Sequence, residues 1–445
     1  MSGSETFVII GASLAGAKAA ETLRSEGFTG RLVLVGAETS LPYERPPLSK
    51  GYLLGTDEVE KAFVHDQAWY TEHDVTLMLG VRATAIDPAE HVVTLDRGDP
   101  LRYDKLLLAT GVRPRILPVP GADLAGVHYL RSIEDSTALR ERLRQGPRVV
   151  IVGAGWIGLE VAAAARQYGC PVTVVEIDTL PLRRVLGDEM ATVYRQLHEA
   201  HGVSFRFGNG VSQICGQTGG SGQAGGGQGA GASGSVTHVV LTDGTEVPAD
   251  LVLIGVGALP NVEEAQAAGL AVDPEIGGIV TDEYLNTSDP DIFAAGDCAA
   301  FWSPLLQRRI RVEHWANALN GGPAAALAML GRPSPYDPVP YFYSDQYTTS
   351  PLIGMEYAGY VVPGGYDRLV FRGSPEIQPD RDPEFLVFWT QQGRVLAGMN
   401  VNIWDVQDQI EPLVRAGHAG HAVDLDRLAD PSVPLTDLVP SREPA

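Results

Sequence analysis

The chain has few cysteines and no cysteine motif. Three of its 445 residues are cysteines, Cys170, Cys215 and Cys298, and no two of them have C-x-x-C spacing. Paired cysteines are required for a redox-active dithiol, and sets of cysteines at motif spacing hold zinc or iron–sulfur clusters. The sequence therefore predicts no disulfide framework, no dithiol and no bound metal, and we interpret each thiol as buried or incidental.

Positive charge and long apolar runs are also scarce. The chain has 33 Lys and Arg residues against 55 Asp and Glu residues, a net charge of −22. This excess of acid disfavours binding to nucleic acid and to anionic membranes. No apolar run reaches the roughly 20 residues of a membrane span, and the start MSGSE lacks a signal-peptide pattern. We expect a cytoplasmic protein of two to three domains.

The most informative stretch runs from Arg148 to Asp178. It reads as an apolar strand, a G-x-G-x-x-G turn, an Ala-rich helix and a second strand that ends on Glu176. In such a unit the glycines allow a tight turn, close approach of the backbone to a pyrophosphate and packing of the helix on the strand. The acidic residue accepts hydrogen bonds from an adenosine ribose. The glycines are Gly153, Gly155 and Gly158. The stretch predicts a dinucleotide site.

A second unit of the same kind begins the chain. Strand-like Phe7–Ile10 leads into the turn GASLAG at residues 11–16, a helix and the strand Arg31–Val35, after which Glu38 is the candidate ribose acid. Ser13 replaces the middle glycine and is still small enough for close backbone approach. Two such units predict two dinucleotides, with the N-terminal one permanently bound and the internal one exchangeable.

Residues 41–51 combine paired prolines with cations. Because proline disfavours regular helix, we expect a rigid, extended loop here. Arg45 and Lys50 on this loop are candidates for contact with a phosphate group or a flavin edge, and ordinary surface charges are the alternative interpretation.

Two crossing segments, Arg113-Pro114 and Gly257–Asn261, and a glycine-rich segment predict the domain organisation. The fold class is α/β with two Rossmann-like domains and a C-terminal α+β domain that contains an antiparallel sheet. Residues 1–114 and 249–330 form the first domain, residues 115–248 the second domain, inserted in the first, and residues 331–445 the third. The segment 216–234 is interpreted as a flexible insert without catalytic role. The tail after Asp430 is expected to be loosely ordered.

Six motifs in order carry a resemblance to a known family. They are GASLAG, YERPPLSKGYL, ATGVRPR, GAGWIGLE, VGALPN and TDEYLNTSDPDIFAAGDCA. Together they resemble the FAD-dependent pyridine nucleotide-disulphide oxidoreductases and, within them, the ferredoxin reductases of bacterial oxygenase systems. The resemblance implies FAD in the N-terminal unit, NADH in the internal unit and a C-terminal domain linked to dimerisation or partner contact.

The resemblance also implies roles for individual residues. The implied FAD contacts are Gly11, Ser13, Leu14, Ala15, Gly16, Glu38, Arg45, Lys50, Val81, Ala109, Thr110, Gly111, Arg131, Gly296, Asp297, Glu313, His314 and Trp315. The implied NADH contacts are Gly153, Gly155, Trp156, Ile157, Gly158, Glu160, Glu176, Arg184 and Gly257.

Three of these residues are expected to take part in catalysis. By resemblance, Trp315 lies against the isoalloxazine, while Lys50 and Glu160 approach each other near the nicotinamide and the flavin. We assign Lys50 and Glu160 to tuning and positioning, since hydride passes directly from nicotinamide to flavin. Asp297 is similar to the family's Asp that binds the ribityl chain, and a helix N-cap is its alternative role.

The residues after the second strand predict the nucleotide. Glu176-Ile177-Asp178 lacks the arginine that would bind a 2′-phosphate, so NADH is expected over NADPH. Arg183 and Arg184 follow a few residues later and keep NADPH open as an alternative.

The missing cysteine motif predicts the electron acceptor. Without a thiol relay, the flavin must pass electrons outward singly, and a ferredoxin is the expected partner. Rubredoxin, a quinone or oxygen is the alternative acceptor, and a redox-signalling protein similar to apoptosis-inducing factor is the alternative class. Arg308, Arg309 and Arg311 are expected to steer an acidic partner, or else they belong to a solvated loop.

Overall fold

A computed structural model describes residues 5–217 and 234–439. Its strands are β1 (Thr6–Ile10), β2 (Arg31–Gly36), β3 (Val75–Leu79), β4 (Ala83–Asp87), β5 (Val92–Leu95), β6 (Leu101–Arg102), β7 (Lys105–Leu108), β8 (Val112–Pro114), β9 (Val127–His128), β10 (Val149–Val152), β11 (Val172–Glu176), β12 (Ser204–Phe207), β13 (Val211–Gly216), β14 (Val236–Leu241), β15 (Glu246–Pro248), β16 (Leu251–Ile254), β17 (Ala258–Pro260), β18 (Ile279–Thr281), β19 (Ile292–Ala294), β20 (Ala299–Ser303), β21 (Arg308–Ile310), β22 (Tyr341–Gln346), β23 (Ile353–Gly359), β24 (Arg368–Gly373), β25 (Phe385–Gln391) and β26 (Arg394–Val401). Its helices are α1 (Leu14–Ser25), α2 (Gly51–Leu54), α3 (Gln67–Glu72), α4 (Ile133–Leu143), α5 (Trp156–Gln167), α6 (Arg183–Leu186), α7 (Asp188–Ala200), α8 (Glu263–Ala267), α9 (Trp315–Met329), α10 (Gln407–His418) and α11 (Leu425–Ala429).

The chain divides into two compact units, each made of three segments. The first unit comprises Met1–Arg45, Val59–Arg113 and Ala258–Phe342. The second unit comprises Pro46–Glu58, Pro114–Gly257 and Tyr343–Ala445. The chain thus passes between units near both crossing segments identified in the sequence. The division into three domains stays a prediction.

The first unit is built on a parallel sheet with strand order β19-β7-β1-β2-β3. Its central strand β1 is apolar after Thr6, and Val8 and Ile9 are fully buried, as is typical of parallel sheets covered on both faces. Helix α1 packs against α9, and a Cβ on Gly322 would lie 2.2 Å from the carbonyl oxygen of Ala15. This close helix contact depends on the small residues of both helices.

The second unit contains a parallel sheet with order β12-β11-β10-β16-β9 and an antiparallel sheet with order β22-β23-β26-β25-β24. Helix α5 connects β10 to β11, which pair in parallel from Val149 with Val172 to Val152 with Val175. The antiparallel sheet buries Trp389 completely against other apolar side chains and packs on α10. Two strand–helix–strand units and a C-terminal antiparallel sheet confirm the predicted α/β fold class.

Two local predictions are wrong. Residues Pro46–Ser49 form a 3-10 turn followed by α2, not an extended loop. Prolines that begin a helical turn remove N–H groups that have no partner there, so they do not oppose it. The tail after Asp430 also contains a packed 3-10 turn, since Leu435 and Leu438 are buried. The central residues of the glycine-rich insert, 218–233, lie outside the described residues.

Candidate dinucleotide sites

The turn of the first unit requires glycine at both ends. Gly11 has φ of +122°, and a Cβ there would lie 2.0 Å from the carbonyl oxygen of Ala109. A Cβ on Gly16 would lie 2.0 Å from the carbonyl oxygen of Gly11, where α1 leaves the turn. Ser13 precedes α1, and its hydroxyl donates to the carbonyl oxygen of Tyr43 at 3.2 Å. Leu14 and Ala15, which follow, are buried.

The predicted ribose acid of the first unit lies within a polar cluster. Tyr43 donates its hydroxyl hydrogen to Glu38 at 2.5 Å, and the Arg45 guanidinium donates to the other Glu38 oxygen at 2.7 Å. Burial acts to lower the pKa of Arg45, but Tyr43 and Glu38 outweigh it and raise the pKa above its usual value. The carboxylate therefore follows β2 at the expected place, and the charge of Arg45 is fixed beside it.

The remaining FAD candidates of the first unit lie at strand ends and at the start of α9. Val81 is buried and donates its N–H to the carbonyl oxygen of Gly36. Thr110 donates its hydroxyl hydrogen to the carbonyl oxygen of Asn261, and Gly111 accepts the N–H of the same asparagine. These contacts fix the segment that follows β7.

Asp297 lies in a 3-10 turn, Gly296–Cys298, directly after β19, where it is half-buried. Gly296 has φ of +75°, which lets the chain turn sharply at the end of the strand. The carboxylate thus lies at the carboxyl end of a strand of the parallel sheet, where α/β proteins bind ligands.

Three residues introduce α9. Glu313 is exposed and accepts a hydrogen bond from Arg311, while Trp315 donates its indole N–H to Glu44 at 2.9 Å. His314 stacks obliquely on Phe342, and its buried Nδ1 has no hydrogen-bond partner among the described residues. Burial lowers the pKa of His314 to about 4. The ring is therefore neutral at pH 7.

The turn of the second unit repeats the first with one difference. Gly153 has φ of +101°, and a Cβ there would lie 2.4 Å from the carbonyl oxygen of Gly255. A Cβ on Gly158 would lie 2.2 Å from the carbonyl oxygen of Gly153. Gly155 is exposed, and a Cβ there would have nothing within 4 Å. The outer glycines therefore pack the helix on the sheet, and the middle one borders open space.

Glu176 ends β11 and is held by backbone groups. One carboxylate oxygen accepts the N–H of Ala154 at 2.7 Å, and the other accepts the N–H of Asp178 at 2.9 Å. The acid therefore lies directly against the glycine turn, as a ribose-binding carboxylate should.

The other residues assigned to the cofactors in this unit differ in exposure. Ile157 is 44% exposed, Gly257 is exposed, and Trp156 packs edge-on against Tyr194. Arg184 has 72% of its side chain exposed. Arg131, predicted to contact FAD, lies in the second unit and precedes the capping box at the start of α4.

Neither glycine turn places a side-chain cap on its helix. The N-cap residues of α1 and α5, Ser13 and Gly155, accept no hydrogen bond with a side chain, whereas Ser132 at α4 does. The first N–H groups of a helix have no partner within the helix, and an anion satisfies them well. With the small turn residues and the acids, this arrangement fits a dinucleotide diphosphate in each unit.

Lys50 and Glu160 meet in a buried cluster in the second unit. Glu160 is 5% exposed and lies 2.9 Å from the ammonium nitrogen of Lys50. It also accepts hydrogen bonds from Ser49 at 2.5 Å and from Ser344 at 2.7 Å. The Lys50 ammonium lies 5.5 Å from the centre of the Tyr343 ring. The predicted approach of Lys50 and Glu160 to each other is present.

The cluster lines a cavity of about 340 Å³ that also includes Gln167, Asp345 and Tyr347. Sequence reasoning missed Ser49, Tyr343 and Ser344 in this site. Ser49 is adjacent to Lys50, which the motif YERPPLSKGYL had placed at the site, and this adjacency could have indicated Ser49 as well. Nothing in the spacing of Ser344, 184 residues from Glu160, pointed to the contact.

The three thiols lie at least partly inside the protein. Cys170 and Cys298 are buried, Cys215 is half-buried, and all three are free. Burial raises the pKa of Cys170 and of Cys298, which disfavours the reactive thiolate. Within residues 5–217 and 234–439, no group of His, Cys, Asp or Glu side chains could hold a metal ion. None of the helices in these ranges is long and apolar enough to span a membrane.

The three arginines near the start of α9 have different surroundings. Arg309 donates to the carbonyl oxygens of Thr281 and Ala300, and Arg311 donates to those of Ile276 and Asp297. Both guanidinium groups therefore fix backbone. Arg308 is exposed on the hairpin of β20 and β21, opposite Ser303.

Comparison with known proteins matches this arrangement. The model of the pyridine nucleotide-disulphide oxidoreductase family covers residues 5–322, and that of the reductase C-terminal family covers residues 341–439. Putidaredoxin reductase CamA of Pseudomonas putida is 38% identical over 99% of this chain and 98% of its own length. The ferredoxin–NAD(+) reductase component of the anthranilate 1,2-dioxygenase system of Burkholderia cepacia is 40% identical over 97% of this chain and 98% of its own.

A solved structure agrees over the whole chain. The covalent putidaredoxin reductase–putidaredoxin complex superposes with a TM-score of 0.87 at 37% identity, over 98% of this chain and 99% of that one. The resemblance predicted from the motifs is confirmed. With two glycine turns, an acidic residue near the end of the strand after each, and a C-terminal antiparallel sheet, the chain belongs to the pyridine nucleotide-disulphide oxidoreductase family, in the branch of the ferredoxin reductases of oxygenase systems.

Proposed function

We propose that the chain is an FAD-dependent NADH:ferredoxin reductase that supplies electrons to an oxygenase. The single observation that carries this function is the presence of two turns with glycine at both outer positions, each followed by an acidic residue, in a chain without a C-x-x-C pair. Two dinucleotides can bind, and no dithiol can relay electrons. Relatives named as ferredoxin reductases of oxygenase systems match the chain from end to end.

The first unit holds FAD in this proposal. The N–H groups at the start of α1 bind the diphosphate, and Glu38 binds the adenosine ribose. Asp297 binds the ribityl chain at the end of β19, and Trp315, fixed by Glu44, packs against the ring system. FAD supplies the chemistry that turns a two-electron donor into single-electron transfers.

The second unit holds NADH. The start of α5 binds the diphosphate beside exposed Gly155, and Glu176 binds the ribose. Lys50 and Glu160 form a buried ion pair whose geometry two hydroxyl groups fix. The pair orients the nicotinamide and sets the local electric field, and hydride transfer needs no proton from either residue.

Ferredoxin docks, in this proposal, on the hairpin of β20 and β21. Arg308 is exposed there, and Trp302 on the adjacent strand is 36% exposed. An exposed cation and an aromatic side chain are typical of residues that steer and anchor an acidic partner. Arg309 supports this surface by donating to the carbonyl oxygen of Ala300 in β20, and Arg311 donates to that of Asp297 in the turn before β20.

Stopped-flow kinetics test the proposed function. The flavin-loaded protein is mixed with NADH without oxygen, and then with an oxidised two-iron ferredoxin coupled to cytochrome c. We expect rapid bleaching of the flavin by NADH and cytochrome reduction that requires ferredoxin. In a parallel run with oxygen present, reoxidation of the flavin at a rate that ferredoxin does not change would establish an oxidase instead. NADH-dependent dimerisation with slow turnover would establish a signalling protein.

Charge reversal at Arg308 tests the docking surface. Arg308→Glu should slow ferredoxin reduction about tenfold at low salt and flatten its dependence on ionic strength, because charged residues at the rim mainly set association rates. Flavin reduction by NADH should not change. Arg97→Glu is the matched control, since Arg97 is an exposed arginine on another hairpin of the same unit. An equal effect of both variants would contradict docking at Arg308.

A further inference from the structure

Two carboxylates lie at the end of β11 in the second unit, Glu176 as its last residue and Asp178 just beyond it. Glu176 is the predicted ribose acid, and both of its oxygens accept backbone N–H groups. Asp178 comes two residues later, with 16% of its side chain exposed, and its N–H is one of the two donors to Glu176. The exposed Ile177 lies between them. Asp178 is therefore connected to the residue that would contact the adenosine ribose.

Asp178 also binds the two arginines that could recognise a 2′-phosphate. Its Oδ1 accepts a hydrogen bond from Arg183 at 3.1 Å, and its Oδ2 lies 3.5 Å from Nε of Arg184. Arg183 is shared with Asp188, which it contacts at 2.6 Å. The N–H of Thr179 and the two arginines lower the pKa of Asp178, so that the carboxylate is charged at pH 7.

We propose that Asp178 determines the preference of this enzyme for NADH over NADPH. It does so by holding the guanidinium groups of Arg183 and Arg184 and by adding a negative charge where a 2′-phosphate would lie. The inference rests on the proposed function, because it assigns the exchangeable nucleotide to the second unit.

The physical argument compares the two nucleotides at one position. A 2′-phosphate carries about two negative charges and binds well where a guanidinium donates to it. Here Arg184 has Asp178 as its ion-pair partner, and a phosphate would have to displace that carboxylate. The 2′-hydroxyl of NADH needs only an acceptor, which Glu176 supplies. Removing the charge of Asp178 lowers repulsion and releases Arg184 to the phosphate.

The test measures binding of two redox-inactive fragments to the flavin-loaded protein. ADP-ribose and 2′-phospho-ADP-ribose are titrated by isothermal calorimetry into the wild type and Asp178→Asn. Asparagine keeps an oxygen for the N–H of Thr179, so the turn is preserved. We expect 2′-phospho-ADP-ribose to bind about tenfold more tightly to the variant, and ADP-ribose to change less than about twofold. Asp178→Ser is a second variant that retains an oxygen for Thr179.

Two further variants locate the effect. In Asp178→Asn/Arg184→Ala the gain for the phosphorylated fragment should fall to less than about threefold, because the released Arg184 is absent and only the lower repulsion remains. Asp188→Asn is the matched control, since Arg183 keeps Asp178 as a partner there, and each affinity should change less than about twofold. An undiminished gain of about tenfold in the double variant, or no gain in both Asp178 variants, would overturn the proposal.

Flavin reduction separates this proposal from the proposed function. Wild-type protein that binds ADP-ribose but is not reduced by NADH would contradict the reductase function alone. The second-order rate constants for flavin reduction by NADH and by NADPH give a ratio for each protein. If NADH reduces both wild type and Asp178→Asn and this ratio is the same in the two, the role of Asp178 alone would be contradicted. We expect that ratio to fall about tenfold in the variant.

Discussion

The two glycine turns of this chain share their outer positions and differ at the middle one. In the first unit Ser13 donates a hydrogen bond to the carbonyl oxygen of Tyr43, and in the second unit Gly155 borders open space. The outer glycines pack against neighbouring carbonyl oxygens in both. The backbone requirement is thus the same in the two turns, while the surroundings of the ligand are not.

The acids differ in a corresponding way. Glu38 accepts hydrogen bonds from the side chains of Tyr43 and Arg45, whereas Glu176 accepts them from backbone N–H groups. The segment that carries Tyr43 and Arg45 therefore contacts both the turn and the acid of the first unit. This contrast supports a permanently bound dinucleotide in the first unit and an exchangeable one in the second, because release from the first unit requires more contacts to open.

The largest effect is expected from alanine at the outer glycine of the second turn. Gly153→Ala should destabilise the unit by at least about 3 kcal/mol, because its φ is positive and its Cβ would overlap the carbonyl oxygen of Gly255. Gly155→Ala is the control and should change stability by less than about 0.5 kcal/mol. It should nevertheless weaken NADH binding at least about tenfold, because the new Cβ occupies the approach to the diphosphate.

Denaturant unfolding and NADH titration check this pair. Equal stability of Gly153→Ala and wild type would show that the turn is not as rigid as its contacts indicate. Unchanged NADH binding by Gly155→Ala would contradict the assignment of the NADH site to the second turn. The proposed difference between the two units would then be wrong.

An intermediate effect is expected from pH, through a buried histidine in the second unit. Nε2 of His198 lies 2.8 Å from the amide oxygen of Gln346 and Nδ1 lies 2.7 Å from the hydroxyl oxygen of Tyr347, and a neutral ring that donates at Nε2 and accepts at Nδ1 satisfies both contacts. Burial lowers the pKa of His198 to about 4. The unfolded ring has a pKa of about 6.5 and binds a proton first, so stability is complete above that pH and is lost as the pH falls towards 4.

This histidine should reduce the free energy of unfolding by about 2 kcal/mol between pH 7.5 and 5.0. His198→Gln should be less stable at pH 7.5 and should lose that part of the pH dependence. His314→Gln provides the matched test in the first unit, where burial likewise lowers the histidine pKa to about 4. Denaturation curves at pH 7.5 and 5.0 measure the free energy of unfolding of both variants. The same change in this free energy between the two pH values in His198→Gln and in wild type would contradict the role of His198.

The smallest effect is expected from exchanging the middle residues. Ser13→Gly removes one hydrogen bond of 3.2 Å and should raise the FAD dissociation rate no more than about fivefold. Gly155→Ser adds a side chain on the open side of the second turn and should weaken NADH binding more than Ser13→Gly weakens FAD binding. The rate of flavin release after dilution measures the effect of Ser13→Gly, and NADH titration measures the effect of Gly155→Ser. A larger effect of Ser13→Gly would mean that contacts of the outer turn residues, not the middle residue, set the difference in dinucleotide binding between the two turns.

Much of the fold was predictable from local spacing. The glycine turns, the acids that follow β2 and β11, and the strands of the C-terminal sheet all depend on residues close together in sequence, so their patterns are visible there. The loop around Pro46 was mispredicted because proline opposes a helix in its interior but not at its start. The order of the six motifs along the chain indicated the family to which it belongs.

The partners of the functional side chains depend on tertiary structure. Ser344 reaches Glu160, Gln346 reaches His198, and Arg309 binds the carbonyl oxygen of Ala300, contacts that no spacing in the sequence indicates. The sequence by itself predicted two dinucleotides and contained no C-x-x-C pair, since turn motifs and cysteine spacing are local properties. Only the tertiary structure decided which charges are already neutralised, because an ion pair such as Lys50 with Glu160 joins residues that are far apart in the sequence.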